Sequence, residues 1–330
     1  MFMSFGILHT QAGAQVCGRQ APACIFSPNE KDVRRMTQAP QNSEPASSIA
    51  AGDTVWLKFW GVRGSIPTPG AGTVRYGGNT SCVEVSADGE HLILDAGSGI
   101  RPLGLALAAE AAGQPLTLTL LLTHRHWDHI QGFPFFVPAY QPQNQIRVLG
   151  YDGARRELQD TLAGQMESPY FPVALAQMPG NIVIEELKET SFSVGKLAVR
   201  AVRTKHPGVT MGYRIETSAG SICYIPDHES TPGEHGGEVG ELIAGADIVL
   251  LDAQYTADEY AMKKGWGHGC LDDVVRIARE AGVKRLFLFH HDPAHDDGFV
   301  DMMLARAREL AGPMIVDAAK EGERVVLGRL

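Results

Sequence analysis

No apolar run in the 330-residue chain reaches the roughly eighteen residues that a membrane-spanning helix needs. Cysteine is scarce: Cys17, Cys24, Cys82, Cys223 and Cys270 are scattered without CxxC spacing. An odd, sparse set points to free thiols in a reducing compartment, hence a cytoplasmic location, although Cys17 and Cys24 are close enough in sequence to pair. Basic residues are outnumbered, 29 against 38 acidic, for a formal net charge of −9. That balance argues against a broad nucleic-acid-binding face. It leaves room for a small anionic substrate, because a bound metal can dominate the local field. The first residues, MFMSFGILHTQAGAQVC, lack a basic stretch, which weakens any reading as a secretory signal. Hydrophobic content of 44% and charged content of 20% are ordinary for a globular protein.

Residues 1–52 differ from the remainder. QAPQNSEPASSIAAGD is rich in Pro, Ser, Gln and Ala without a period, and reads as part of a disordered leader. A true start at Met36 is a further expectation for this segment. Order is expected from VWLKFWGV onward, so that residues 53–330 form one domain. SCVEVSA, HLILDAG, LTLTLLLTH, IVIEEL, KLAVRAVRTKH, DIVLLDAQY and RLFLFHH read as strands from their apolar and β-branched content. GYRIETSAGSICYIPD reads as a strand pair turning at SAG, and MIVDAA and RVVLGRL as short terminal strands. RPLGLALAAEAAG, residues 153–168, GCLDDVVRIAREAG and DGFVDMMLARARELAG read as helices. Mixed strands and helices with adjacent strand pairs favour a layered α/β sandwich over a strictly alternating parallel sheet.

Straight after the apolar run LTLTLLL comes HRHWDH, which places His124, His126, Asp128 and His129 within six positions. Imidazole nitrogens and carboxylate oxygens are ligands that divalent zinc, iron or manganese accepts. Without a metal, such a cluster repels itself whenever it is protonated.

The HxHxDH pattern after a hydrophobic strand resembles the signature of the metallo-β-lactamase-fold hydrolases, and the resemblance runs over about residues 55–330. It implies a four-layer αββα sandwich. Other motifs follow in order: LDAGSG with Asp95, TKHPG with His206, YIPDHE with Asp227, and LFHHDP with His290. The family pattern implies two divalent metal ions, Zn²⁺ first and Mn²⁺ or Fe²⁺ as alternatives. His124, His126 and His206 would hold one, and Asp128, His129 and His290 the other. Asp227 would bridge them, with a water or hydroxide between. Asp95 would orient a ligand from behind; its plainer role is capping the AGSG turn. His291 is the alternative to His290, and His228 reads as a satisfied neighbour of Asp227.

LLDAQYTADEYAMKKGWGHGCLDD resembles the phosphodiesterase branch, which includes ribonuclease Z and cyclic phosphodiesterases. The resemblance implies an Asp252–His268 dyad. Such a dyad suits diester cleavage, because a carboxylate behind an imidazole readies it to protonate the departing alkoxide. Gly269 stands where the branch usually has a small hydroxyl. FWGVRGSIPTPGAGTVRYGGNTSCVEV belongs to the same resemblance, and its Arg63 and Arg75 are either phosphate contacts or solvated loop charges. Tyr170 and Phe171 are available to stack on a base or sugar, with packing as the plainer role. Ribonuclease Z commonly carries a substrate-binding arm between the motifs of His206 and Asp227. Only about twenty residues lie between them here, enough for a strand pair. The expected substrate is therefore a small phosphodiester, a cyclic nucleotide or cyclic ribose phosphate, with no large nucleic acid and no membrane as partner. A homodimer is expected as the commonest symmetric assembly. The competing expectations are hydrolysis of an acyl substrate (lactone, thioester or β-lactam) and a non-enzymatic sensor on the same fold.

Overall fold

The computed structural model describes residues 54–151, 157–231 and 236–328. The expected leader, Cys17, Cys24, Met36 and the 52/53 boundary lie outside these. The described residues belong to one unit, Ala50–Leu330.

Two mixed sheets of seven strands each carry the molecule. The first contains β1 (Trp56–Gly61), β2 (Cys82–Ala87), β3 (Glu90–Leu94), β4 (Thr117–Leu121), β5 (Gln145–Tyr151) and β6 (Asn181–Leu187). The second begins with β7 (Ser191–Val194), β8 (Leu197–Arg203), β9 (Met211–Thr217) and β10 (Gly220–Ile225). It continues with β11 (Ile248–Asp252), β12 (Arg285–Phe289) and β13 (Ile315–Ala318), while β14 (Arg324–Val326) returns to the first sheet beside β1. Both sheets follow one plan. β1, β2 and β3 pair antiparallel and β3 to β6 parallel. Likewise β7 to β10 pair antiparallel and β10 to β13 parallel. The chain is thus two similar halves, without an internal sequence repeat to announce them.

The sheets pack face to face. Their common core takes Leu57, Phe59, Val83 and Val85 from the first sheet and Val199, Tyr213, Ile222 and Phe287 from the second. β1 shows how sequence selects this face. WLKFWG alternates half-buried and buried residues, so Leu57 and Phe59 point between the sheets while Lys58 lies over the Trp60 ring on the other side. The outer faces are covered by helices. α1 (Ile100–Ala111), α2 (Trp127–Ile130) and α3 (Leu158–Gly164) precede β6, and α1 and α3 join the outer core of the first sheet through Leu103, Leu107, Leu158 and Leu162. α4 (Gly237–Ile243), α5 (Ala257–Lys263), α6 (Leu271–Glu280) and α7 (Asp297–Leu310) follow, and α4, α6 and α7 cover the second sheet. This is the expected four-layer αββα sandwich. Among the described residues no helix is long and apolar enough to cross a membrane.

Several elements differ from expectation. The helix expected over 153–168 is α3 alone, residues 152–156 being outside the description; beyond Gly164 the chain turns toward Pro169, which cannot continue a helix. β7 was not foreseen, because SFSV is only four residues on an exposed edge. α4 is broken up in sequence by Gly237 and Gly240. α5 had a legible start signal, the reciprocal cap between Thr256 and Glu259 in TADE.

Phe59 is fully buried, with its ring 5.2 Å from that of Phe287 and 6.3 Å from that of Phe289. Phe59→Ala opens a cavity between the sheets and is expected to cost about 3–5 kcal/mol, read by urea unfolding. A loss below about 1 kcal/mol would show that this contact is not part of the common core.

Candidate metal centre

The candidate residues sit where strands end. Asp95 follows β3, His124 and His126 follow β4, and Asp128 and His129 lie on the single turn of α2. His206 follows β8, Asp227 follows β10, Asp252 closes β11 and His290 follows β12. The strand ends are tied across the sandwich. Met211 N–H donates to the Thr123 carbonyl, and the Tyr213 hydroxyl donates to the Leu122 carbonyl at 2.6 Å. Asp95 and His290 hold left-handed backbone at φ 60° each, unusual for residues other than glycine.

All seven expected ligands come together. His124 Nε2 and His206 Nε2 each lie 3.0 Å from His126 Nδ1. Four ligands about 2.0–2.1 Å from a tetrahedral zinc stand about 3.3 Å apart, so this trio has the spacing of a coordination edge. Beside it, His129 Nε2 lies 3.2 Å from Asp128 Oδ2 and 3.0 Å from Asp227 Oδ2, and His290 Nε2 lies 3.1 Å from Asp128 Oδ2. His124, His129 and Asp227 also form a possible ligand group, which places Asp227 between the two clusters. His129, His290 and Asp227 are at most 1% exposed, whereas His126 and its neighbour Trp127 are exposed, so the mouth opens over His126.

What stands behind each ring sets its direction. His129 Nδ1 meets Asp95 Oδ2 at 2.8 Å, His206 Nδ1 meets the Gly267 carbonyl at 2.8 Å, and His290 Nδ1 meets Gln254 Oε1 at 3.0 Å. Each of these partners accepts, so Nδ1 carries the proton and the Nε2 lone pair faces inward. Asp95 in turn accepts from Thr123 N–H and from the Tyr224 hydroxyl. It does not cap the AGSG turn.

His129 Nε2 and Asp227 Oδ2 are fully buried and 3.0 Å apart, yet form no hydrogen bond. Buried acceptors facing one another without a donor are costly unless a cation lies between them. The residues present therefore fit a divalent metal. Without the metal a proton on His129 meets the same electrostatic need, and the charges respond accordingly. Burial pushes the Asp227 carboxyl up, but His290, His129 and His124 outweigh it and hold it well below its ordinary value. Burial pushes His129 down, and Asp128, Asp227 and Asp95 raise it well above the usual imidazole range. Burial, then the neighbouring His129, hold His124 well below that range.

His268 Nδ1 meets Asp252 Oδ2 at 2.9 Å and lies 3.6 Å from Asp227 Oδ1. Its ring is 5.1 Å from those of His206 and His290. Burial pushes His268 down, but Asp252 and then Asp227 and Asp128 raise it to about 9. The departure at Gly269 has a steric reason: a Cβ there would lie 2.2 Å from the Asp252 carbonyl oxygen. Gly267, at φ +92°, likewise has no room, since a Cβ would meet His206 Nδ1 at 2.4 Å.

The two arginine expectations are corrected, and the remaining neighbours are placed as well. Arg63 is neither a phosphate contact nor a solvated charge: it is fully buried and donates to the carbonyls of Gly77, Asp292 and His295. Arg75 is engaged by both oxygens of Asp301. His291 turns away to the Ala319 carbonyl, which leaves His290 in the centre. His228 accepts from Lys205 N–H through Nδ1. Phe171 packs edge-on against Phe135, while Tyr170 is 78% exposed. Gln254, Tyr224 and Ser65, whose N–H meets Asp128 Oδ2 at 2.8 Å, were not foreseen. Their contacts are long-range and no motif marks them.

A family model described as the beta-lactamase superfamily domain matches residues 91–291. The ribonuclease Z of Haloarcula marismortui is 23% identical over 285 residues, 72% of this chain and 86% of that protein. The metallo-beta-lactamase fold protein YhfI from Bacillus subtilis is similar in structure, with a TM-score of 0.63 at 20% identity over 83% of this chain and 99% of that one. Zn²⁺-bound PqqB from Methylobacterium extorquens has a TM-score of 0.59 at 17% identity, over 82% and 99%.

Gly269→Ala forces the end of β11 aside and is expected to cost about 1–3 kcal/mol in urea unfolding. A variant as stable as the parent would show that the Asp252 strand end gives way freely.

Proposed function

We propose that this chain, a member of the beta-lactamase superfamily, is a dinuclear metal phosphodiesterase acting on a small diester of the cyclic nucleotide or cyclic ribose phosphate class. The observation that carries the reading is the Asp252–His268 contact, 2.9 Å long, beside two abutting groups of candidate metal ligands. Hydrolysis at an acyl carbon has no comparable need for a second, carboxylate-backed imidazole.

In this reading His124, His126 and His206 would hold one cation and Asp128, His129 and His290 the other, with Asp227 available to both groups and Asp95 orienting His129. When bound, the cations polarise the phosphoryl oxygens and lower the pKa of an attacking water. Zinc is the first expectation, in keeping with the Zn²⁺-bound state of PqqB. The protein's own residues supply the rest. Asp252 holds the Nδ1 proton of His268, so that Nε2 carries the proton for the departing alkoxide. The Asp252 carboxylate is fully buried, so it acts on the imidazole at low dielectric.

The size of the substrate follows from the segment between His206 and Asp227. It is filled by the β9–β10 hairpin, which turns in two residues and extends no arm. With the net charge of −9, that supports a small diester over a folded RNA. The ribonuclease Z relatives keep an RNA substrate as the second reading. Cys82, Cys223 and Cys270 are free and buried, in keeping with a cytoplasmic location; a homodimer completes the proposal.

The purified protein is tested on bis-p-nitrophenyl phosphate, cyclic mononucleotides, cyclic dinucleotides, cyclic ribose phosphates, a precursor tRNA and a lactone–thioester panel. Turnover of lactones or thioesters without any diester would sink the reading, and tRNA cleavage alone would promote the second. His124→Ala is expected to lose metal and activity together. His268→Ala is expected to keep its metal and lose about 10²–10⁴ in rate, the contribution of a positioned acid; undiminished diester cleavage would remove the dyad.

The dyad also predicts a pH effect. With its pKa raised to about 9, His268 keeps its proton below that pH and loses it above. Stability from the contact is likewise full below the ordinary imidazole range and declines as pH rises through the raised value. Asp252→Asn removes the largest raising influence, so the alkaline limb of the kcat profile is expected to move to lower pH. An unmoved limb would assign it to another group.

A further inference from the structure

His129 and His290 face the same two carboxylates from behind different supports. His129 is backed by Asp95, a carboxylate. His290 is backed by Gln254, a neutral amide that is 2% exposed. An amide can present either its oxygen or its NH₂ group, so something must decide which end faces His290. Asp292 does so. Its Oδ2 accepts from Gln254 Nε2 at 3.1 Å and from Lys263 Nζ at 3.1 Å, while its Oδ1 accepts from Ala294 N–H at 2.8 Å. A carboxylate held by an ammonium only accepts, so the NH₂ end of Gln254 turns to Asp292 and Oε1 turns to His290.

His290 needs this support. Its backbone is left-handed and its ring lies against Gly64, where a Cβ would come within 2.4 Å of Nδ1. The ring has two nitrogens and no backbone preference that selects between tautomers. Gln254 also donates its own N–H to Asp252 Oδ1 at 3.0 Å, while Oδ2 accepts from His228 N–H and meets His268 Nδ1. One buried residue thus braces a candidate metal ligand and the dyad carboxylate together.

We infer that Gln254 is the positioning residue of the His290 half of the centre. Its amide oxygen, oriented by the Lys263–Asp292 pair, fixes His290 as the Nδ1–H tautomer and turns the Nε2 lone pair toward Asp128 and Asp227. The inference rests on the reading above that His290 holds a cation.

The test titrates metal-depleted full-length protein with Zn²⁺ alone and follows stoichiometry and affinity by calorimetry and elemental analysis. Gln254→Leu is expected to weaken one zinc equivalent by about 10–100-fold and leave the other unchanged. Gln254→Glu places a carboxylate against Asp292 and is expected to weaken the same equivalent. The pair Gln254→Glu with Asp292→Asn restores donor to acceptor and is expected to recover the affinity, a rescue that packing alone does not give. A folded Gln254→Leu with both affinities intact overturns the inference, as does a double variant no better than Gln254→Glu. If Gln254→Leu does not fold, the glutamate variant and its rescue decide. Parent protein that binds two equivalents but cleaves no diester refutes the proposed reaction, and the zinc data then judge Gln254 separately.

Discussion

A buried imidazole lone pair aimed at a buried carboxylate is repulsive unless something positive lies between them, and the centre of this molecule is built on that demand. Three rings are pinned through Nδ1, by Asp95, Gln254 and the Gly267 carbonyl, so that Nε2 has only one way to face. The inward atoms are then stranded: His129 Nε2 and Asp227 Oδ2 have no hydrogen-bond partner at zero exposure to solvent. A cation resolves the conflict and the pins keep it resolvable, since they prevent the rings from turning toward other acceptors.

The two-sheet sandwich is what makes such pinning affordable in conformational terms. Each sheet ends its strands at the same edge, and the common core of Leu57, Phe59, Val199, Tyr213 and Phe287 locks those edges together. The candidate ligands lie just beyond the ends of β4, β8, β10 and β12 or on the single turn of α2, in short segments that the strand ends hold in place. Asp95 and His290 are among the non-glycine residues with left-handed backbone, and rigid surroundings hold them there. The glycines beside the centre have the same origin. At Gly267 and Gly269 the backbone approaches His206 and Asp252 so closely that no side chain fits, which accounts for the missing hydroxyl after His268 without invoking a change in chemistry.

Much of this was legible in one dimension. HRHWDH announces a cation by composition alone, because few other arrangements tolerate so many titratable groups after an apolar strand. The apolar and β-branched runs HLILDAG, LTLTLLLTH and RLFLFHH identify strands, and a mixture of strand pairs with helices identifies layers. Weak elements escaped: β7 is too short to carry a period, and α4 is diluted by glycine. Arg63 escaped for a different reason. Its charge suggested water or phosphate, whereas folding surrounds it with the carbonyls of Gly77, Asp292 and His295.

Residue types and local spacing therefore established the class of chemistry, the strands that present it and the layered architecture, because those depend on periodicity and on what a side chain can bind. The turning of His291 to the Ala319 carbonyl, the burial of Arg63, the bracing of His290 by Gln254 and Asp292, and the exclusion of a side chain at Gly269 came from folding. Each depends on atoms tens or hundreds of residues away meeting within hydrogen-bond or van der Waals distance, such as His291 with Ala319 or Asp128 with His290. Such distances are set by how two sheets pack and where their strands stop, and no local pattern encodes them.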